Sequence, residues 1–276
     1  MDIKKVKTIT NGIDTSLFNI CDRKEKLELR KKLELPQNST ILITSSRLHS
    51  QKGVENILHA FAILLKKRKK LKFIVVGEGP NRGNLEKICS HLNISENVIF
   101  TGLVSQSKLA EFLKSSDLFL FLTTHREGLP LNILESLSSG LNCIISDHLD
   151  IFESDMIHKS NPKDFEKVSE KIANLLDKGS NTKNSFPEKY ALDHAADQYL
   201  QLFESLRSNY RKTNLLKSIL KIFSGNFLSK CLGLVREIIT AFFYGTSLSI
   251  SAFRVAQTGT FTPVSYTHLR AHETQR

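Results

Sequence analysis

Cysteine is scarce in this chain. Cys21, Cys89, Cys143 and Cys231 lie far apart, with no C-x-x-C pair and no histidine at ligand spacing. That excludes a zinc site of the usual spacing and a disulfide framework. Proline is limited to six residues, while apolar residues reach 40% and charged residues 24%. A collagen-like or wholly disordered chain is thereby excluded. The start, MDIKKVKTITNGID, is positive but has no apolar core of signal-peptide length, so secretion is not indicated and a cytosolic, reducing home is expected. Long apolar runs are missing too. The longest uncharged run, Ile238 to Phe253, has 16 residues, including five Ser/Thr and a Gly. It falls short of the roughly 20 apolar residues that a helix needs to cross a bilayer unaided.

Acids are also in deficit. Lys and Arg number 39 against 28 Asp and Glu, for a net charge of +11. Such an excess raises the question of a polyanionic partner, nucleic acid or an acidic bilayer. Its location matters more. Residues 66–72 (KKRKKLK) hold six basic residues directly after an apolar stretch ending at Leu65. This reads as the solvated, cation-rich end of a helix, where the macrodipole favours positive charge. No aromatic interleaving or nucleic-acid motif accompanies it, so no nucleic-acid partner is expected.

The 276 residues suffice for one large domain, or for one ordinary domain and part of another. From residue 41, short apolar runs alternate with helical patterns, the signature of βαβ units and a doubly wound parallel α/β sheet covered on both faces. Strands are expected at ILITSS (41–46), KFIVVG (72–77), VIFTG (98–102), DLFLFLT (117–123) and NCIIS (142–146). Helices are expected over Gly53–Lys69, 81–92, 105–115, 130–139, Asn161–Asp177 and Pro187–Arg207, with a polar loop at 178–185. Such a sheet binds ligands at the carboxyl ends of its strands.

Three places there could carry chemistry. Arg47 and Lys52, five apart in SSRLHSQKG, offer a rigid guanidinium fork and a mobile ammonium to a diphosphate, although a basic pair in a βα loop is commonly plain surface. VGEGP (76–80) places two glycines after a strand, for ligand approach or for a tight turn. It is not the dinucleotide fingerprint. The strongest signal is Glu127-Gly-Leu-Pro-Leu-Asn-Ile-Leu-Glu135. Pro130 suits the first helical turn, so Glu127 falls in the preceding loop and Glu135 inside the helix. Carboxylates accept hydrogen bonds from vicinal hydroxyls, and free amides at a helix start favour phosphate; acids flanking a helix start are also common as dipole partners.

NGIDTSLF (11–18), SSRLHSQKG (45–53), VGEGP (76–80), VIFTGLV (98–104) and EGLPLNILESLSSG (127–140) occur in an order and spacing that resembles the C-terminal half of GT-B retaining glycosyltransferases. The nearest group builds bacterial capsule, exopolysaccharide and lipopolysaccharide glycans, and the resemblance covers about residues 8–207. It implies a Rossmann-like domain that binds a nucleotide-diphosphate sugar as donor substrate, with no cofactor and no metal. Arg47 and Lys52 would hold the diphosphate and stabilise the leaving group. Glu127 would bind donor-sugar hydroxyls, and the backbone of Gly128, Leu129 and Leu131 would approach sugar and phosphate. Glu135 would bind the ribose hydroxyls, and the Gly102 to Val104 turn would lie beside the base. Ser46 stands where the family usually has Gly, and Asn142 where it usually has Pro. The family's acceptor-binding N-terminal domain has no counterpart here, so turnover by this chain alone is not expected. The acceptor would be lipid-linked or a growing glycan, and the location the inner face of the cytoplasmic membrane.

At about residue 211 the composition changes. Residues 215–257, with S-K-C-L-G-L-V-R-E at 229–237 as core, resemble the first transmembrane segment of MurJ/MviN-type lipid II flippases. The resemblance implies that Arg236 faces a central cavity and that 211–263 associates with the membrane, as a span or as an amphipathic basic helix lying on it. The last residues, VSYTHLRAHETQR, resemble a translated sequencing adapter. The expected organisation is a linker over 1–18, a nucleotide-sugar-binding domain over 19–210, a flippase-like helical region over 211–263 and an artefactual tail over 264–276. The competing reading is a membrane transport fragment whose α/β part binds nucleotide sugar without catalysis.

Overall fold

The computed structural model describes residues 7–179 and 186–210. Arg236, the flippase-like segment 211–263 and the adapter-like tail 264–276 lie outside the described residues. Among the described residues no helix is long and apolar enough to cross a membrane.

The chain runs α1 (Arg23–Lys32), β1 (Thr40–Ser45), α2 (Val54–Lys67), β2 (Leu71–Val76), α3 (Arg82–His91), β3 (Val98–Gly102), α4 (Gln106–Ser115), β4 (Leu118–Phe121), α5 (Leu131–Ser138), β5 (Asn142–Ser146), β6 (Ile157–Ser160), α6 (Phe165–Lys178) and α7 (Leu192–Tyr210). The strands form one sheet in the order β3-β2-β1-β4-β5-β6, every pairing parallel. This is the expected doubly wound α/β architecture. The unit containing the sheet ends at Leu200.

Parallel strands buried on both faces need apolar residues in both alternating sets. In β1, Leu42 points into a core shared with α2, α3 and α6, through Ile57, Phe61, Leu85 and Ile172. Its neighbours Ile41 and Ile43 point into a second core with α4 and α5, through Leu113, Ile133 and Leu137. Each such side chain, taken fully out of water, contributes roughly 1.5–3 kcal/mol.

The amino-terminal ends of the strands are tied by a buried arginine. Arg30 donates from Nε to the Ser115 carbonyl (2.9 Å) and from Nη2 to Asp117 Oδ2 (2.8 Å). The same Asp117 oxygen accepts the Ile41 N–H (2.7 Å), and Lys26 reaches Asp117 Oδ1 (2.6 Å). Cavities of about 330 and 360 Å³ open beside Arg30 and Asp117, where both charges are already engaged.

Several boundaries differ from the sequence reading. The α1 segment RKEKLELRKK has only two apolar residues, too few for a clear periodicity; Asp22 caps it by accepting the Glu25 N–H (2.7 Å). The edge strand β6, IHKS, is short and has only one apolar residue, with no apolar run to announce it. Asn161 does not open α6: its side chain accepts the Lys163 N–H (2.9 Å) in a turn, and Asp164 caps the helix by accepting the Lys167 N–H (3.1 Å). Pro187 likewise opens only a single 3-10 turn, Glu188–Tyr190. Ala191 then bridges to Ile13, whose N–H and C=O bond the Tyr190 carbonyl (2.9 Å) and the Leu192 N–H (2.8 Å), and α7 starts after that interruption.

Candidate functional site

In this strand order the chain reverses direction between β1 and β4, and a crevice at such a point faces the carboxyl ends of the strands. Arg47 and Lys52 follow β1, and Glu127 to Leu131 follow β4, so the two loops meet there. They are stitched by the Gln51 carbonyl, which accepts the Thr124 N–H (2.9 Å) and the Thr123 hydroxyl (2.8 Å). Asn132, in the first turn of α5, donates from Nδ2 to the Ser45 carbonyl (2.6 Å). Gly53 makes the approach possible. Its φ of +68° is left-handed, and a Cβ there would fall 1.7 Å from the Leu122 carbonyl oxygen.

Lys52 and Glu127, named separately from the sequence, form an ion pair with each other. Lys52 Nζ donates to Glu127 Oε1 at 2.6 Å, with side-chain exposures of 28% and 20%. Thr123 lies at 3.5 Å from the same oxygen. Arg47 is exposed, and among the described residues it has no acidic partner. The N–H groups of Leu129 and Leu131 likewise have no hydrogen-bond partner there. Pro130 sits one position before the helix, extended at ψ 119°, rather than in its first turn. That leaves the Leu131 amide as the first of the helix, unpaired and facing the loop end.

Glu135 lies one turn beyond Asn132 on the same side of α5. It is partly buried and has no ion-pair or hydrogen-bond partner for its carboxylate among the described residues. Burial raises its pKa from 4.5 to about 7. Such a group takes up hydroxyl donors readily, because they restore the solvation that the charged form has lost. The buried side-chain polar atoms left without partners among the described residues are Thr44 Oγ1, Ser45 Oγ, Ser46 Oγ and Asn132 Oδ1. All four belong to the end of β1 and the start of α5. Unsatisfied buried polar atoms are uncommon, and their concentration at one end of the sheet makes that end the candidate site.

Gly102 ends β3 and Val104 follows it, at the same carboxyl end of the sheet. Gly102 has φ +73°, its carbonyl accepts the Gly77 N–H (3.0 Å), and Val104 packs into the second core. Between them Leu103 is 84% exposed. The glycines of VGEGP serve loop packing: a Cβ at Gly77 or Gly79 would lie 2.0 Å from the Ser46 or 2.3 Å from the Leu48 carbonyl oxygen. A Cβ at Gly128, by contrast, would meet nothing within 4 Å. Gln51, Thr123 and Asn132 were not legible as site residues. Asn132 does lie inside the Glu127–Glu135 motif, one turn before its second acid, and that position was the available signal.

The family described as glycosyl transferases group 1 matches residues 25–191. The alpha-monoglucosyldiacylglycerol synthase of Streptococcus pneumoniae is 34% identical over 155 residues, covering 52% of this chain and 35% of that protein. Among solved structures, Anabaena HepE in complex with UDP superposes with a TM-score of 0.63 at 18% identity, over 72% of this chain and 57% of that one. The C-terminal domain of the group 1 glycosyl transferase LpcC from Francisella tularensis gives a TM-score of 0.54 at 20% identity, over 68% of this chain and 98% of that domain. The chain spans about a third to about half of the length of the curated relatives it matches. With a Rossmann-like parallel sheet of the GT-B kind and a family match over 25–191, this chain belongs to the glycosyl transferases group 1 family.

Proposed function

We propose that this chain is the donor-binding half of a retaining glycosyltransferase. It binds a nucleotide-diphosphate sugar whose sugar passes to a lipid-linked or polysaccharide acceptor in bacterial surface-glycan synthesis. The observation that carries the reading is the meeting of Arg47, Lys52, Glu127 and the unpaired Glu135 around one end of the sheet. Cations and acids there divide the work. Arg47 and Lys52 hold the diphosphate and stabilise charge on the leaving phosphate. The N–H groups of Leu129 and Leu131, with Gly128 leaving open space beside them, approach phosphate and sugar. Glu127 accepts donor-sugar hydroxyls, Glu135 the ribose hydroxyls, and the turn from Gly102 to Val104 borders the base. No cofactor or metal enters this reading, because Arg47, Lys52 and the helix start supply the positive charge. The leaving phosphate assists deprotonation of the acceptor, and configuration at the anomeric carbon is retained.

A lipid-linked acceptor is supported by the relative named as an alpha-monoglucosyldiacylglycerol synthase, and in this reading transfer occurs at the inner face of the cytoplasmic membrane. Segment 211–263 would add membrane association there. The whole reaction also requires an acceptor-binding domain. Calorimetric titration of the full chain with UDP, GDP and their glucose conjugates tests the reading. Clear wild-type binding that Arg47→Ala and Glu135→Ala abolish supports it; equal binding by all three proteins overturns the assignments.

A further inference from the structure

We infer that the Lys52–Glu127 ion pair makes this crevice discriminate between an intact nucleotide-diphosphate sugar and the bare nucleoside diphosphate. The inference rests on the donor-site reading and adds a property of the same site. Lys52 Nζ and Glu127 Oε1 are 2.6 Å apart across two loops that are 75 residues apart in sequence. Both side chains are about three-quarters buried, at 28% and 20% exposure. Within the protein each is the other's counter-ion. Among the described residues, the only hydrogen-bonding group at Oε1 besides Lys52 is the Thr123 hydroxyl at 3.5 Å, which donates more closely to the Gln51 carbonyl at 2.8 Å.

Two ligands then meet different costs. A bare nucleoside diphosphate draws Lys52 to its phosphate and leaves Glu127 as a largely buried carboxylate beside a second anion. Stranding one partner of a buried pair is far costlier than the pair itself is stabilising. An intact donor brings the sugar hydroxyls as well, and these donate to Glu127 as Lys52 turns away. Only that ligand satisfies both ends of the pair. The bare diphosphate is also what remains once the sugar has been transferred, so re-formation of the Lys52–Glu127 bond favours its departure.

The sign of the effect is unusual for a binding residue: removing the Glu127 charge tightens the bare nucleotide. The experiment is calorimetric titration of the full chain with UDP, GDP and ADP and with their glucose conjugates, for wild type, Glu127→Gln and Arg47→Ala, with thermal unfolding recorded for each. The glutamine variant is expected to bind the nucleoside diphosphate roughly tenfold more tightly, between the effects of an exposed and a buried pair. Its affinity for the sugar conjugate stays level or falls. Glu127→Ala reads the same ratio should the glutamine variant not fold. Equal shifts for the two ligands, or weaker binding of the bare nucleotide, overturn the inference; if Arg47→Ala still loses binding, the donor-site reading stands. Wild-type protein that binds none of these nucleotides overturns the reading, and the inference with it.

Discussion

The side-chain amide of Asn132 donates to the backbone carbonyl of Ser45 across 2.6 Å, joining the first turn of α5 to the last residue of β1, 87 residues away in sequence. Through this bond the helix that carries Glu135 is held over the strand whose continuation carries Arg47. The two are adjacent because β1 and β4 pair in the sheet, and α5 follows β4 directly.

Glu135 makes stability depend on pH. Its native pKa of about 7 lies above the 4.5 of the exposed group, so the native state holds its proton more tightly than the unfolded state. Stability is therefore greatest below pH 4.5 as far as this group is concerned, and is lost as pH rises from 4.5 through about 7. The loss is at most about 3 kcal/mol. Urea unfolding at pH 5 and pH 8 is expected to show that decline in the wild type and a reduced one in Glu135→Gln. Parallel curves for the two proteins would refute the assignment.

Donor binding is expected to release protons at pH 7, since hydroxyls donating to Glu135 favour its charged form. Titrations in two buffers of different ionisation enthalpy should give different apparent heats. The difference should vanish in Glu135→Gln.

Arg47 separates binding from stability. Its guanidinium is exposed and has no acidic partner among the described residues. Arg47→Ala should leave the unfolding free energy within about 0.5 kcal/mol of wild type while weakening diphosphate binding at least roughly tenfold. A large loss of stability in this variant would show that the side chain has a structural role instead.

Gly53 and Gly83 should respond oppositely to alanine. At Gly53 the added carbon would meet the Leu122 carbonyl and its backbone is left-handed, so Gly53→Ala should cost more than about 2 kcal/mol and part the two loops of the crevice. At Gly83, inside α3, nothing lies within 4 Å, and Gly83→Ala should stabilise by about 0.5–1 kcal/mol. Denaturant titration of both variants is the check.

At the other end of the sheet, Asp117 neutralises Arg30 and Lys26 and accepts the Ile41 N–H. Asp117→Ala leaves a buried guanidinium uncompensated, and a loss of about 3 kcal/mol is expected. Donor affinity at temperatures well below the midpoint should be unchanged, since the crevice lies at the opposite strand ends. A binding defect matching that of Arg47→Ala would contradict this separation.

Periodicity alone determined the alternation of strands and helices from residue 41 to 146, because fully buried parallel strands are written as unbroken apolar runs such as ILIT and FLFL. The motif Glu127–Glu135 could be placed at a strand-to-helix junction for the same reason. Segments whose stability is electrostatic or local stayed silent: α1 is almost wholly charged, and β6 gains its partner from β5 rather than from its own composition. Sequence could name Lys52 and Glu127 as chemically apt, but it assigned them to two different parts of a ligand. That they pair with each other was decided by the tertiary fold, since an ion pair depends on the distance between charges, and the pairing of β1 with β4 brings those two loops within reach. The raised pKa of Glu135 likewise follows from the depth at which α5 is packed, a quantity that no residue carries in its own identity.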